Sequence, residues 1–181
     1  VVGTHANNSG LQSGGWSIHW QGQTHSYAGA TTILEGINSV NSNVEYAEQG
    51  CYAGMQAQKA VVVVGENPYA EGVGDSDELW LNDDHKALIT GCKNLGKKVV
   101  VILISGRVLV INEDLNNSDA FVAAWLPGSE GAGVADFLFA TDGFKPTGKS
   151  PYSWPVKFAD IPIAPYADHA LFKFGYGLQE Y

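Results

Sequence analysis

The stretch AVVVVGENPYAE, residues 60–71, decides the fold. Its four consecutive valines are β-branched and apolar on both faces of an extended chain, which is typical of a central strand in a parallel sheet that is buried on both sides. Glu66 follows Gly65 at the end of this run, where open α/β sheets place their functional sites. Pro68 prevents the loop from continuing as a strand or helix and stiffens it. A glutamate in such a loop is either a functional carboxylate or simply a solvated side chain.

The remainder of the chain alternates apolar segments with amphipathic ones. Residues 98–104 and 120–126 are apolar, and a glycine-containing loop follows each of them. Helical periodicity is predicted at residues 31–40, 84–94 and 133–139. This alternation predicts an α/β fold, a doubly wound, mostly parallel sheet sandwiched between helices in three layers, α/β/α. Short extended segments are predicted at residues 1–3 and 43–48, and residues 142–181 are interpreted as an irregular C-terminal segment.

The composition is that of a globular protein, because 45% of the 181 residues are hydrophobic and 16% are charged. This length suits one domain with a sizeable core, spanning residues 1–181. The net charge of −9, without a cluster of lysine and arginine, argues against binding to nucleic acid or to an anionic membrane. No apolar run reaches the length of a transmembrane helix.

The two cysteines, Cys51 and Cys92, lie far apart in the sequence. No histidine stands at metal-ligand spacing from them, so we expect no metal site. The sequence leaves open whether they form a disulfide. The opening residues, Val-Val-Gly, are typical of the end of a strand, so we interpret the sequence as a piece of a longer protein.

A long loop rich in glycine and tryptophan, LQSGGWSIHWQG, occupies residues 11–22. Long ordered loops in compact domains are often functional. An exposed indole ring can stack on the apolar face of a pyranose, whereas a buried ring would pack on the sheet. We expect one of each, with Trp16 exposed and Trp20 buried. Trp125, in an apolar segment, is predicted to be a core residue.

Several motifs of this sequence occur in a fixed order: SGGWSIHWQG, GENPYAE, ISGR, AAWLPGSEGAGVADFLF, GKSPYSWP and FGYGL. The ordered set resembles the second, C-terminal sandwich domain of glycoside hydrolase family 3, in particular that of its exo-β-glucosidases and β-glucan exohydrolases. The resemblance covers residues 1–178. It implies a first domain, a (β/α)₈-like barrel absent from this sequence, which supplies the nucleophilic aspartate.

The resemblance also implies roles for individual residues. In that family the sandwich domain supplies the general acid/base glutamate, and the matching strand-exit motif assigns this role to Glu66. Glu71, five residues further in the same loop, is the alternative. Trp16 matches the tryptophan that stacks on the sugar beyond the cleaved bond, and Trp20 and Arg107 are further candidates for substrate binding.

The roles of Arg107 and Glu130 are each open to more than one interpretation. Arg107 is expected to pair with a loop carboxylate and so to hold the site, although Val108 stands where relatives usually carry proline. Glu130 follows an apolar segment and could also face the cleft. We prefer to interpret it as capping the helix that follows, since a carboxylate is favourable at a helix N-terminus.

The predicted function is therefore part of a retaining, exo-acting β-glucosidase or β-glucan hydrolase. Its expected partners are a β-linked glucose oligosaccharide or polysaccharide and a barrel domain, on the same parent chain or on a second polypeptide, and no cofactor is expected. An extracellular or periplasmic location follows from that substrate class. One alternative is a non-catalytic carbohydrate-binding or structural module. The other is a nucleotide-binding domain, which the Gly-Ala-Gly sequence at residues 131–133 would suggest. The latter is disfavoured because Asp136 replaces the third glycine of the fingerprint.

Overall fold

The computed structural model describes residues 1–178, in which a parallel sheet of three strands lies between layers of helices. The elements in chain order are α1 Ser9–Ser13, α2 Ile33–Val40, β1 Lys59–Gly65, α3 Asp83–Asn94, β2 Lys98–Ile104, α4 Asn112–Asn116, β3 Ala120–Trp125 and α5 Ala132–Phe139. Helix α2 begins with a capping box, in which Thr32 and Glu35 each accept the other's backbone N–H. The predicted three-layer α/β/α fold is confirmed.

The central strand of the described sheet is β2, which pairs with β1 along its whole length and with β3 on its other side. Alternate side chains of β1 enter two separate cores. Val62 and Val64 belong to the cluster that contains Ile89 and Cys92 of α3. Val63 belongs to the opposite cluster, formed with α2 and α5. The valine run is apolar throughout because both faces of this strand are covered.

The first residues of the chain extend the sheet only through Val2. Its N–H donates to the carbonyl of Val61, and its own carbonyl accepts from the N–H of Val63, both at 2.9 Å. The strand predicted at residues 43–48 is wrong, because Ala47 alone pairs with Val2. The backbone of this segment meets only the first residues of the chain, where the N–H of Ala47 donates to the Val1 carbonyl at 3.1 Å and the Glu45 carbonyl accepts from the Val1 amino group at 2.7 Å.

Trp125 is half-buried at the end of β3 and packs against the edge of the core, so its predicted place in the core is confirmed only in part. The register of β3 shifts at this point, and Trp125 has a φ of 54°, which turns its side chain out of the regular pleat. Its ring packs against Tyr152 and Trp154, with centroids 6.3 and 6.0 Å away. Trp154 from the irregular C-terminal segment is the buried tryptophan, and it pairs with Phe172 while covering the α3 side of the sheet.

Cys51 and Cys92 form a disulfide that ties the loop before β1 to helix α3. The sequence left this pairing open. Among residues 1–178, no helix is long and apolar enough to cross a membrane.

Candidate functional site

The loops that leave the three strands meet at the carboxyl edge of the sheet. Glu66 follows β1, Gly106 follows β2 and Leu126 follows β3, and all three line a cavity of about 190 Å³. Gly14 and Gly15 from the segment after α1 close its other side. Of the residues that the sequence analysis singled out for the site, only Glu66 lines this cavity; Trp16, Trp20, Glu71 and Arg107 lie outside its lining.

The carboxylate of Glu66 is engaged by protein groups on both oxygens. Arg107 donates to Oε1 from Nε at 2.8 Å and lies 2.6 Å from it through Nη2. The hydroxyl of Tyr69 donates to Oε2 at 3.3 Å. Only 16% of the Glu66 side chain is exposed. The backbone carbonyl of Glu66 also lies 3.1 Å from Nε2 of the buried His5.

Arg107 joins the two ends of the loop at residues 66–74. Besides Glu66, it donates from Nη1 to the carbonyl of Gly74 at 2.6 Å, and its guanidinium lies over the ring of Tyr69, 4.3 Å from the centroid. Burial and the adjacent Glu66 raise the pKa of Tyr69 to about 12. The expected pairing of Arg107 with a loop carboxylate is present, and its guanidinium is directed at protein groups.

Residues 14–22, which we call the tryptophan loop, are tightly closed. The N–H of Trp16 donates to the carbonyl of Trp20 at 2.9 Å, and Ile18 at the tip has a φ of 65° and is 82% exposed. Gly15 lies against the backbone of Tyr69 so closely that a Cβ there would overlap the Tyr69 carbonyl oxygen. Glycine is therefore required where the tryptophan loop meets the loop that follows β1.

Both tryptophans of this loop are exposed. Trp16 is 70% exposed, as expected, but Trp20 is 54% exposed, so the prediction that it is buried is wrong. The physical reason is that the Trp20 indole N–H donates to Oε2 of Glu71 at 2.7 Å, which turns the ring away from the sheet. The two rings lie 6.4 Å apart at an angle of 51°, and together they form an accessible aromatic surface.

Glu71 carries an exposed carboxylate beside this aromatic surface. Its pKa is lowered from the ordinary value, chiefly by the hydrogen bond from Trp20 and then by its own backbone. Gln21 holds the backbone of this residue in place, since its amide donates to the Glu71 carbonyl at 3.1 Å and accepts from the N–H of Ala70 at 2.7 Å. Sequence reasoning missed Gln21 and His5, because only their contacts with distant loop backbone distinguish them from ordinary polar residues.

Glu130 does not cap helix α5, so that preferred interpretation is wrong. The helix begins after Gly131 without a side-chain cap, and Glu130 accepts instead from the hydroxyl of Ser129 at 3.1 Å. It is exposed and lies outside the residues that line the cavity. Within the described range, no group of three or more His, Cys, Asp and Glu side chains could hold a metal ion.

Comparisons with known proteins agree with this architecture. A family model described as the glycosyl hydrolase family 3 C-terminal domain matches residues 1–180. The chain is 30% identical over 208 residues to a lysosomal beta glucosidase of Dictyostelium discoideum, covering 98% of this chain and 25% of that protein. It is also 30% identical over 156 residues to a periplasmic beta-glucosidase of Salmonella typhimurium, covering 72% of this chain and 20% of that protein.

A solved structure agrees with these matches. The crystal structure of an exo-1,3/1,4-beta-glucanase from a Pseudoalteromonas species aligns with a TM-score of 0.84 and 41% identity, over 98% of this chain and 24% of that one. The chain thus spans about a quarter of the length of these relatives. The match of the family model over almost the whole chain, together with these relatives, shows that the chain belongs to glycoside hydrolase family 3 and corresponds to its C-terminal domain.

Proposed function

We propose that this chain supplies the general acid/base carboxyl and an aromatic sugar platform to a retaining β-glucosidase or β-glucan hydrolase, whose nucleophilic aspartate lies on a separate barrel domain. The relatives that bear β-glucosidase and exo-glucanase names support the reaction class. The length of the chain, about a quarter of theirs, supports a division of the active site between this domain and another.

Retaining hydrolysis requires two carboxyl groups roughly 5–5.5 Å apart across the glycosidic bond. One attacks the anomeric carbon and forms a glycosyl-enzyme. The other protonates the leaving oxygen in the first step and removes a proton from water in the second. The acid/base carboxyl must therefore reach the leaving oxygen and must exchange its proton with it.

The exposed carboxylate of Glu71, next to both tryptophans, carries our assignment of this role. Glu66 has both oxygens occupied by Arg107 and Tyr69, and it could reach a substrate only by breaking that ion pair. Glu71 has one oxygen held by Trp20 and faces open space. We therefore assign the acid/base role to Glu71, the alternative of the sequence analysis, and assign to Glu66 the role of anchoring the loop.

The lowered pKa of Glu71 in this domain is compatible with its role as an acid in the assembled site. A barrel domain that covers this face would exclude water from Glu71 and place an anionic aspartate near it. Both changes raise the pKa of a carboxyl group toward the range that a general acid needs.

The proposed substrates are β-linked glucose oligosaccharides or polysaccharides, with Trp16 and Trp20 stacking on a sugar ring. We further propose an extracellular or periplasmic location. The disulfide between Cys51 and Cys92 supports it, since disulfides persist mainly in oxidising compartments. One of the relatives is named as periplasmic and another as lysosomal.

The test compares Glu71→Gln with Glu66→Gln in the protein that includes its barrel domain. Each variant is assayed on an unactivated β-glucan oligosaccharide and on dinitrophenyl β-glucoside, whose leaving group needs no proton. We expect Glu71→Gln to lower glucan hydrolysis about 100- to 10,000-fold while still forming the glycosyl-enzyme from the activated substrate. Azide, which needs no general base, should then restore turnover of the activated substrate. Glu66→Gln should reduce both substrates by similar factors.

The reverse pattern would return the acid/base role to Glu66. If neither variant distinguishes the two substrates, this chain does not supply the acid/base group. Binding of β-glucan without any turnover in the unsubstituted protein would support the non-catalytic carbohydrate-binding module instead.

A further inference from the structure

We infer that Trp20 is a positioning residue for the Glu71 carboxyl, holding it with the indole N–H while the ring remains available to a sugar. This inference rests on the proposed function of Glu71. It goes beyond the use of Trp20 as a stacking platform, because it assigns separate tasks to the ring face and to the ring nitrogen.

The first observation is the contact itself. The indole nitrogen lies 2.7 Å from Oε2 of Glu71, a short distance for an N–H that donates to a carboxylate. Apart from a smaller interaction with the side chain of Trp16, the glutamate side chain is otherwise exposed, and without these contacts it would rotate among several staggered conformers. Because more than half of Trp20 is exposed, its ring can meet a ligand without releasing this hydrogen bond.

The second observation is that the tryptophan loop and the loop that carries Glu71 are held together by hydrogen bonds. The N–H of Trp16 closes the tryptophan loop onto the carbonyl of Trp20. The next residue, Gln21, bonds to the backbone of both Ala70 and Glu71. The indole and the carboxylate therefore belong to one rigid unit, so the hydrogen bond between them sets the orientation of the carboxylate relative to the platform.

The third observation concerns the charges around the carboxylate. Besides Tyr69, whose hydroxyl donates to Glu66, the ionisable groups on the adjoining elements are His19 in the tryptophan loop, Glu66 and Arg107 at the base of the second loop, and Asp75 beyond its end. Among residues 1–178 none of these four forms a hydrogen bond or ion pair with Glu71, and Glu66 and Arg107 neutralise each other. The indole N–H of Trp20 is thus the main stabiliser of the carboxylate, with a smaller contribution from the side chain of Trp16.

The sign of the expected pH effect follows from this contact. A donor to the ionised carboxylate lowers the pKa of Glu71, so removing the donor raises that pKa. General acid catalysis requires the protonated form, which sets the alkaline limb of the pH profile of kcat/KM. Loss of the indole N–H should therefore move the alkaline limb to higher pH.

The experiment uses Trp20→Phe in the protein with its barrel domain, because phenylalanine keeps a flat ring and removes the donor. We expect the alkaline limb to move to higher pH and kcat on a β-glucan oligosaccharide to fall about tenfold, with KM changed less than about twofold. Trp80→Phe is the matched control, an equally conservative change at an exposed indole outside the site, and it should leave the limb and kcat unchanged. An unmoved limb in Trp20→Phe would overturn the inference.

Two further variants complete the test. Glu71→Asp retracts the carboxyl by one methylene and breaks the same contact from the other side, so Trp20→Phe should add no further shift in that background. If Trp20→Phe shifted the alkaline limb as much in the Glu71→Asp background as in the unsubstituted protein, the shift would not arise from the contact between Trp20 and Glu71. Glu71→Gln separates the two proposals. If the alkaline limb persists in Glu71→Gln, the proposed function of Glu71 fails. If the limb vanishes in Glu71→Gln but does not move in Trp20→Phe, only the positioning role of Trp20 is refuted.

Discussion

Removing the disulfide with the double substitution Cys51→Ala/Cys92→Ala is expected to lower the free energy of unfolding by about 4 kcal/mol from the lost cross-link, in addition to the packing lost at buried Cys92. The two cysteines are separated by 41 residues in sequence, and the loop they close contains the whole of β1. In the chain-entropy model, a closed loop of this size reduces the entropy of the unfolded state by an amount worth about 4 kcal/mol at 25 °C. For a domain of 181 residues, such a loss corresponds to a decrease in Tm of about 10 °C.

The assay is urea unfolding, followed by tryptophan fluorescence and by circular dichroism so that both probes report one transition. The single Cys51→Ala variant is the control, because it lacks the cross-link but keeps the sulfur of Cys92, which is fully buried. The difference between the single and double variants measures the packing loss at Cys92, and the loss in the single variant measures mainly the cross-link. A loss below about 1 kcal/mol in the single variant would refute the loop-closure reasoning.

Four other substitutions test the packing and electrostatics of the fold. Gly15→Ala should destabilise the chain by about 1–3 kcal/mol, because its methyl group would displace the backbone of Tyr69. Gly133→Ala should raise the free energy of unfolding by about 0.5–1 kcal/mol, because an added Cβ there contacts no other atom. Thr32→Ala removes the N-cap of α2 and should cost about 1 kcal/mol, measured by urea unfolding. Burial raises the pKa of Asp114 to about 6, so the folded state binds more protons than the unfolded state and stability falls as pH rises from about 4 to about 6. The free energy of unfolding of Asp114→Asn should therefore exceed that of the unsubstituted protein by on the order of 2 kcal/mol at pH 7 and be almost equal to it near pH 4, as measured by urea unfolding at both pH values.

The α/β architecture could be predicted from the sequence because the physical requirement is local. A strand covered on both faces needs an unbroken apolar run, and β1 and β2 are such runs. The prediction for Trp125 holds only in part: the ring packs at the edge of the core, beside a register shift against β2 that local hydrophobicity does not encode. The strand predicted at residues 43–48 failed because only Ala47 finds a bridge partner, Val2, and the position of that partner is not visible in the local periodicity.

By itself, the sequence determined that a carboxylate follows β1 at the carboxyl edge of the sheet and that a loop rich in tryptophan precedes α2, since both are properties of contiguous residues. Only the tertiary structure decided which of the two glutamate carboxylates is exposed. Glu66 is occupied by Arg107, 41 residues away, and Glu71 is met by Trp20, 51 residues away. The pairing of the two cysteines was decided in the same way. Contacts across such distances depend on how the chain packs, because the ends of separate strands and loops come together only when the sheet has formed.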